Sequence, residues 1–356
     1  MSILVGNDTK LVVSGLTGRE GSFHGLNNKR YGTAVGYPPL REWIAEQQSV
    51  AVGQVVTTNG SMQADAFLFE LMVEPGDVVV VEAPTYDRTL LALQKLGAEV
   101  LAIPLEANGL DVGALATALE QGARPKLAHV IPNFQNPAGY TLSLDKRRRL
   151  LELAEQYDFV IFEDDPYVEL RFTGDRLPTM LSMDRAGKVV YASSFSKTVC
   201  PGIRVGYLVG PEPVIAAIVK IATETYISPS MVSQAIVNEF CRSGAIEGSI
   251  ETVKTALRER RDALATALRR DLPEATFVEP DGGYFLWVEL PEGSDVDVLF
   301  ENARDRGVVF VKGSDFLIEG GRNTLRIAYS GVTPAEIDEG VARLAEAYRG
   351  LAHAAA

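Results

Sequence analysis

Between residues 77 and 192 the chain repeats one pattern five times: a short apolar run, mostly β-branched, separated from the next by a longer, more polar stretch. The runs are DVVVVE (77–82), EVLAIP (99–104), KLAHVIP (126–132), FVIFE (159–163) and KVVYA (188–192). They are apolar at consecutive positions. A strand with one face in water alternates, whereas a strand covered on both faces does not. Ahead of these runs Phe67, Leu68, Leu71 and Met72 recur at helical spacing, as do Leu150, Leu151 and Ala154 among them. The pattern predicts βαβ crossovers, and so a mostly parallel sheet with helices packed on it.

Beyond about residue 213 the texture changes. In IETVKTALRERRDALATALRRDL, the residues Val253, Leu257, Leu264 and Leu268 form an apolar stripe among charges. GGYFLWVEL, GVVFVKG and NTLRIAYS then alternate as strands do. A last helix opens with Thr333 as N-cap, Pro334 behind it and Glu336 closing a capping box. The expected fold class is α/β, with a large domain over 41–248, a smaller α+β C-terminal domain over 249–356, and an N-terminal segment over 1–40.

A net charge of −13 argues against nucleic acid or an anionic membrane as a partner. No apolar run approaches the ~18 residues of a membrane span, and MSILVGNDTK lacks the basic and apolar regions of a secretory signal. Cys200 and Cys241 are the only cysteines, and His24, His129 and His353 are scattered. No disulfide framework and no zinc site is expected, and a reducing cytoplasm suits the chain.

In open α/β sheets ligands bind beyond the carboxyl ends of the strands. The residues just after each apolar run are therefore informative. VVVVE is succeeded by APTY, ending in Tyr86; LAHVIP by NFQNPAGY, with Asn133 and Asn136; FVIFE by DDPY, with Asp164, Asp165 and Tyr167; KVVYA by SSFSK, ending in Lys197. Upstream, TTNGSMQADAFLFELM sets Gly60 and Ser61 at a helix start, whose free N–H groups suit a phosphate. Ser194, Ser196 and Arg204 add hydroxyls and charge. Taken singly, each has an ordinary reading: Asn136 before Pro137 as a turn former, Ser61 as an N-cap, Tyr86 as packing. In this order, at strand ends, they form a set.

A lysine, an aspartate, an aromatic ring, an amide and a phosphate cradle are what pyridoxal phosphate requires. SFSK with PGIRVGY, NFQNPAGY, EDDPY, GYPPLR and NTLRIAYS resemble, in order, the fold-type I pyridoxal-phosphate aminotransferases. They are most similar to the branch of 2-aminoadipate and kynurenine aminotransferases, which also supplies the effector domain of MocR-type regulators. The resemblance implies a large domain with a mostly parallel seven-stranded sheet. It implies pyridoxal 5'-phosphate as cofactor, an α-amino acid and a 2-oxo acid as substrates, and a homodimer to which the N-terminal segment contributes. Lys197 resembles the Schiff-base lysine that also moves the substrate proton. Asp164 resembles the partner of the ring nitrogen. Asn136 and Tyr167 resemble the donors to the phenolic oxygen, and Tyr86 the stacking ring. Ser61, the backbone at Met62, Ser194, Ser196 and Arg204 resemble the phosphate cradle, and Tyr31 a tyrosine that reaches the neighbouring subunit's phosphate. Arg326, with Asn136 beside it, resembles the grip on the substrate carboxylate.

The match fades before Tyr31. LVVSGLTGREGSFHGLNNKR resembles the family's glycine-rich substrate segment poorly, and Arg19, His24 or Lys29 could meet a substrate side chain. That leaves open a cyclase, oxidase or lyase acting on an amino acid with the same core residues. A MocR-type sensor is disfavoured, since no basic winged-helix segment precedes the domain.

Overall fold

The computed structural model describes residues 34–354. In chain order the large sheet and its helices are α1 (Pro38–Gln48), β1 (Val55–Thr58), α2 (Ser61–Met72), β2 (Val78–Ala83), α3 (Asp87–Leu96), β3 (Glu99–Glu106), β4 (Gly109–Leu110), α4 (Val112–Glu120), β5 (Pro125–Val130), α5 (Leu144–Tyr157), β6 (Val160–Asp164), β7 (Val189–Ser194) and β8 (Gly206–Val209). The strand order is β1-β8-β7-β6-β5-β2-β3-β4. The neighbours from β7 through β6, β5 and β2 to β3 pair parallel. β8 runs antiparallel to both β7 and β1. The sheet has eight strands rather than the expected seven. The addition is β4, a two-residue strand that turns back on β3, too short to leave a periodic signal.

The five apolar runs are the five parallel strands, and their two-sided apolarity has the predicted cause. Val79 and Val81 pack with Phe69, Leu127 and Phe162 under α2, while Val80 packs on the opposite face with Leu115, Leu150 and Ile161 under α4 and α5. Successive residues of a strand point to opposite faces, and both faces are covered along β2, β5, β6 and β7, whereas β3, toward the sheet edge, buries only Ile103.

Three helices come next: α6 (Glu212–Thr225), α7 (Met231–Arg242) and α8 (Ala245–Asp271). Then come β9 (Phe285–Glu289), α9 (Val296–Arg304), β10 (Val311–Lys312), β11 (Thr324–Ala328) and α10 (Pro334–Ala354). β10, β11 and β9 form a second, antiparallel sheet. The stripe on α8 is buried as its spacing predicts: Leu257, Leu264 and Leu268 pack with Leu286, Val288 and Leu325 of this sheet. At its other end Ile246 packs with Leu40 of α1, Tyr191 of β7 and Phe195 just beyond that strand. Ser249 Oγ also donates to the Thr198 carbonyl at 2.8 Å, and Arg260 Nη1 to the Ser330 carbonyl at 2.9 Å. At the start of α10 the Thr333 N–H and hydroxyl both donate to Glu336, and the Glu336 N–H donates back to Thr333 Oγ1, closing the capping box. GVVFVKG is a strand only at Val311 and Lys312. It lies at the sheet edge, where Val309 is 70% exposed and has no strand to pair with among the described residues.

Candidate active site

The carboxyl ends of β2, β5, β6 and β7 lie side by side, so the residues just beyond them are gathered by the parallel pairing alone. β6 ends on Asp164 and β7 on Ser194. The polypeptide after β7 folds back through a single turn at Pro201–Ile203 into β8, which returns Arg204 toward Ser196. Arg204 Nη1 donates to Ser196 Oγ at 3.1 Å, and Ser194 Oγ donates to the same oxygen at 2.9 Å. Arg204 Nη2 reaches the carbonyl of Asn59, just before α2, at 3.4 Å. The cluster therefore joins the start of α2 to the end of β7.

Two glycines make this approach possible. A Cβ on Gly60 would stand 2.1 Å from Arg204 Nη2, and one on Gly206 would stand 2.5 Å from the backbone of Gly60. Arg204 itself adopts φ 51°, a left-handed conformation that costs a non-glycine residue about 1–3 kcal/mol. The first N–H groups of α2, including those of Ser61 and Met62, have no intrahelical partner and carry the helix's positive end. The Met62 side chain is half exposed, and its Sδ accepts from the Tyr86 hydroxyl at 3.7 Å.

At the opposite end of the same cavity lies Asp164, 5% exposed. Its Oδ2 stands 3.7 Å from His129 Nε2, and its Oδ1 has no hydrogen-bond partner. The next residue turns away, as strand alternation requires: Asp165 Oδ2 accepts from Asn133 Nδ2 at 2.8 Å. This orients Asn133, whose carbonyl oxygen in turn accepts from the buried Arg147 guanidinium at 2.9 Å. Asn133 and Asp165 brace the loop, and Asn136 and Asp164 face the cavity.

Between the two ends lies Lys197. Its Nζ sits 4.8 Å from the centre of the Tyr284 ring and 5.6 Å from that of Tyr167. Burial lowers the pKa of this amine, and the positive charges of Arg204 and Arg326 lower it further. Burial raises the Tyr167 phenol, and the charge of Asp164 raises it further, so it keeps its proton and can donate.

Arg326, on β11, enters from the second sheet. Its Nη1 donates to Asn136 Oδ1 at 2.7 Å, and its Nε is buried without a partner. The guanidinium carbon lies 4.2 Å from the Phe285 ring centre and 4.8 Å from that of Phe316. Two aromatic faces thus hold the cation flat.

A cavity of about 240 Å³ is lined by Ser61, Met62, Tyr86, Asn136, Asp164, Tyr167, Ser194, Ser196, Lys197 and Arg204. These are the site residues the resemblance implies except Arg326, which adjoins through Asn136, and Tyr31, which lies outside the described residues, as do Arg19, His24 and Lys29. Asp65, Ile131, Pro166 and Phe285 also line it, and sequence reasoning misses them. It misses Tyr284 and Phe316 too. The doubled glycine of GGYFLWVEL is a usable signal for Tyr284. A more open hollow of about 810 Å³ lies at the opposite ends of the strands, beside Val189 and Gly210, and holds no comparable set of groups.

The cavity can be tested against pyridoxal phosphate piece by piece. A helix start, two hydroxyls and a guanidinium meet the needs of a phosphate. An unpartnered buried carboxylate oxygen meets those of a pyridine N–H. A buried amine with a lowered pKa, between them, meets those of an aldehyde. The residues fit, and the class they define is that of enzymes using this cofactor.

Comparison with known proteins narrows the class. The sequence profile of the family "Aminotransferase class I and II" matches residues 19–344. The aromatic-amino-acid aminotransferase 1 of Thermococcus litoralis is 37% identical over 336 residues, covering 91% of this chain and 80% of that protein. The 2-aminoadipate transaminase of Thermus thermophilus is 36% identical over 327 residues, covering 90% and 82%. A crystal structure of an α-aminoadipate aminotransferase from Thermus thermophilus, complexed with N-(5'-phosphopyridoxyl)-L-leucine, superimposes with a TM-score of 0.87 at 34% identity, covering 94% of this chain and 88% of that one. The chain belongs to the class I and II aminotransferase family. It is a pyridoxal-phosphate-dependent aminotransferase, and the cyclase, oxidase or lyase reading is not favoured.

Proposed function

We propose that the enzyme transfers the amino group of α-amino acids with a large apolar or aromatic side chain to a 2-oxo acid. The observation that carries this is the wall around the carboxylate grip. Arg326 lies between Phe285 and Phe316, and Tyr86, Tyr167 and Tyr284 stand around Lys197. Among the described lining residues only Lys197 and Arg204 are cationic, and neither is free to pair with a second substrate carboxylate. The aromatic specificity named for the Thermococcus litoralis relative supports the reading.

In this reading the N–H groups of Ser61 and Met62, the hydroxyls of Ser194 and Ser196, and Arg204 hold the cofactor's phosphate. Asp164 accepts from its ring nitrogen. Asn136 Nδ2 and the Tyr167 hydroxyl donate to its phenolic oxygen, and Tyr86 covers a ring face. The bound cofactor supplies the electron sink that lets a proton leave the substrate Cα. Arg326 grips the α-carboxylate with a planar, two-pronged contact, and Asn136 keeps the guanidinium aimed. Lys197, neutral more readily than a free lysine, would take the proton from the substrate Cα. The same grip serves donor and acceptor, because they occupy one site in turn.

The test is single-turnover absorbance with a panel of amino acids. Phenylalanine, tyrosine and leucine are expected to convert the cofactor's aldehyde form to its amine form, with a 2-oxo acid reversing the change. Aspartate is expected to react poorly. A preference for aspartate, or loss of ammonia with no amine form, would overturn the proposal.

The same reading includes a cytoplasmic homodimer. Cys200 and Cys241 are free thiols, as a reducing compartment allows. Ile227, Val232 and Ile236, around the start of α7, are exposed apolar residues close in sequence, of the kind a subunit contact covers. Sedimentation is expected to give twice the chain mass of 38.5 kDa, and a stable monomer would count against the dimer.

A further inference from the structure

Asp65 lies in the second turn of α2, four residues beyond Ser61, among the buried Ala64, Phe67 and Leu68. It is 8% exposed and lines the same cavity as Asp164. Its Oδ1, like that of Asp164, is buried and has no hydrogen-bond partner among the described residues. Two carboxyl groups with unpartnered oxygens therefore share one poorly solvated space. Burying one carboxylate without partners is costly, and a second like charge beside it adds to the cost. Burial raises the Asp65 pKa well above the ordinary aspartate range, and the charge of Asp164 raises it further.

We propose that Asp65 is a positioning residue of the cofactor site: beside Asp164 it holds a proton in the empty cavity and gives it up as the ring nitrogen enters, so that the ring N–H cation meets two carboxylates. The step balances simply. The Asp65 O–H bond breaks. The proton passes to the ring nitrogen, or to solvent when the ring arrives already protonated. No electrons change hands. In either case the protein takes up one proton fewer from solvent than a site with a single carboxylate would.

The surrounding groups are few. Glu82 on β2 is itself raised to about 8 by burial, but its carboxylate accepts from the Ile131 N–H and from Gln135. His129 on β5 stands behind Asp164, with neither ring nitrogen hydrogen-bonded. Tyr86 and Tyr167 are phenols raised by burial. The cations Lys197 and Arg204 complete the lining, with Arg326 adjoining through Asn136.

The inference rests on the cavity being the cofactor site, and the experiment separates the two. The full-length protein is stripped of cofactor and titrated by calorimetry with 4'-deoxypyridoxine 5'-phosphate, which has no aldehyde to engage Lys197. Repeating the titration in buffers of different ionisation heat gives the protons exchanged. Relative to Asp65→Asn, the wild type is expected to take up about one proton fewer on binding. Asp65→Leu should match Asp65→Asn, which guards against misfolding of either variant, and His129→Asn should match the wild type. Equal proton counts for wild type and Asp65→Asn would overturn the pair. So would a change in His129→Asn as large as that in Asp65→Asn. Failure of every form to bind the probe would instead overturn the reading of the cavity.

Discussion

Replacing Lys197 with alanine is expected to abolish turnover while leaving the fold and the anion cradle in place. Among the described lining residues the amine is the one group placed to react with an aldehyde and to move a proton at the substrate Cα. A positioned proton-transfer group contributes roughly 10²–10⁴-fold, and removing a covalent attachment point as well places the expected loss at the upper end or beyond. The cradle does not depend on it, since Arg204, Ser194 and Ser196 bond to one another. The variant should therefore still bind pyridoxal phosphate, but borohydride should no longer fix it to the protein. In the wild type, peptide mapping after reduction should find the label on Lys197. A label on another lysine, or turnover within tenfold of wild type, would remove Lys197 from its role.

Arg326→Ala is expected to weaken both half-reactions by a similar large factor. Truncating one partner of a buried hydrogen-bonded charge pair costs about 2–5 kcal/mol. At ~1.4 kcal/mol per decade that is about 30-fold to several-thousand-fold in kcat/KM. Cofactor content should hardly change. Lysine should be a poor substitute, because an ammonium cannot lie flat between Phe285 and Phe316 and make two parallel contacts. The variant has a second signature. Arg326 is one of the cations that depress Lys197, so its removal raises the pKa of that amine. Cofactor capture needs the neutral amine, so its rate climbs with pH up to that pKa. The climb should move to higher pH in Arg326→Ala. An unmoved profile, or a loss confined to one half-reaction, would contradict the assignment.

Much of this site can be read in the sequence because its parts stand at strand ends. Tyr86, Asn136, Asp164 and Lys197 each come after a run whose local pattern announces it, and parallel pairing brings the ends together. The hidden part depends on long-range packing. The bond from Arg326 to Asn136 joins residues 190 positions apart, and no local period reports it. Phe316 lies in a single helical turn, Gly313–Phe316, directly after the two-residue β10, and no local pattern reports that its ring packs on Arg326. Asp65 sits in a run that reads as an ordinary helix start. A lone carboxylate between Ala64 and Phe67 on an apolar face is its one local signal.

The helix α8 sets a mechanical condition on catalysis. Its 27 residues make a rod of ~40 Å at ~1.5 Å per residue. Near one end Ser249 ties it to Thr198, the neighbour of Lys197, and midway Arg260 ties it to Ser330, four residues beyond Arg326. A rod carries error along its length: the two ties stand 11 residues, ~16 Å, apart, and a tilt of ~5° moves one against the other by ~1.4 Å. A displacement of that size stretches a ~2.8 Å hydrogen bond beyond reach. The distance from proton carrier to carboxylate grip is therefore gauged by the stiffness of one helix, and softening it would blur the aim of the enzyme without touching any residue that meets the substrate.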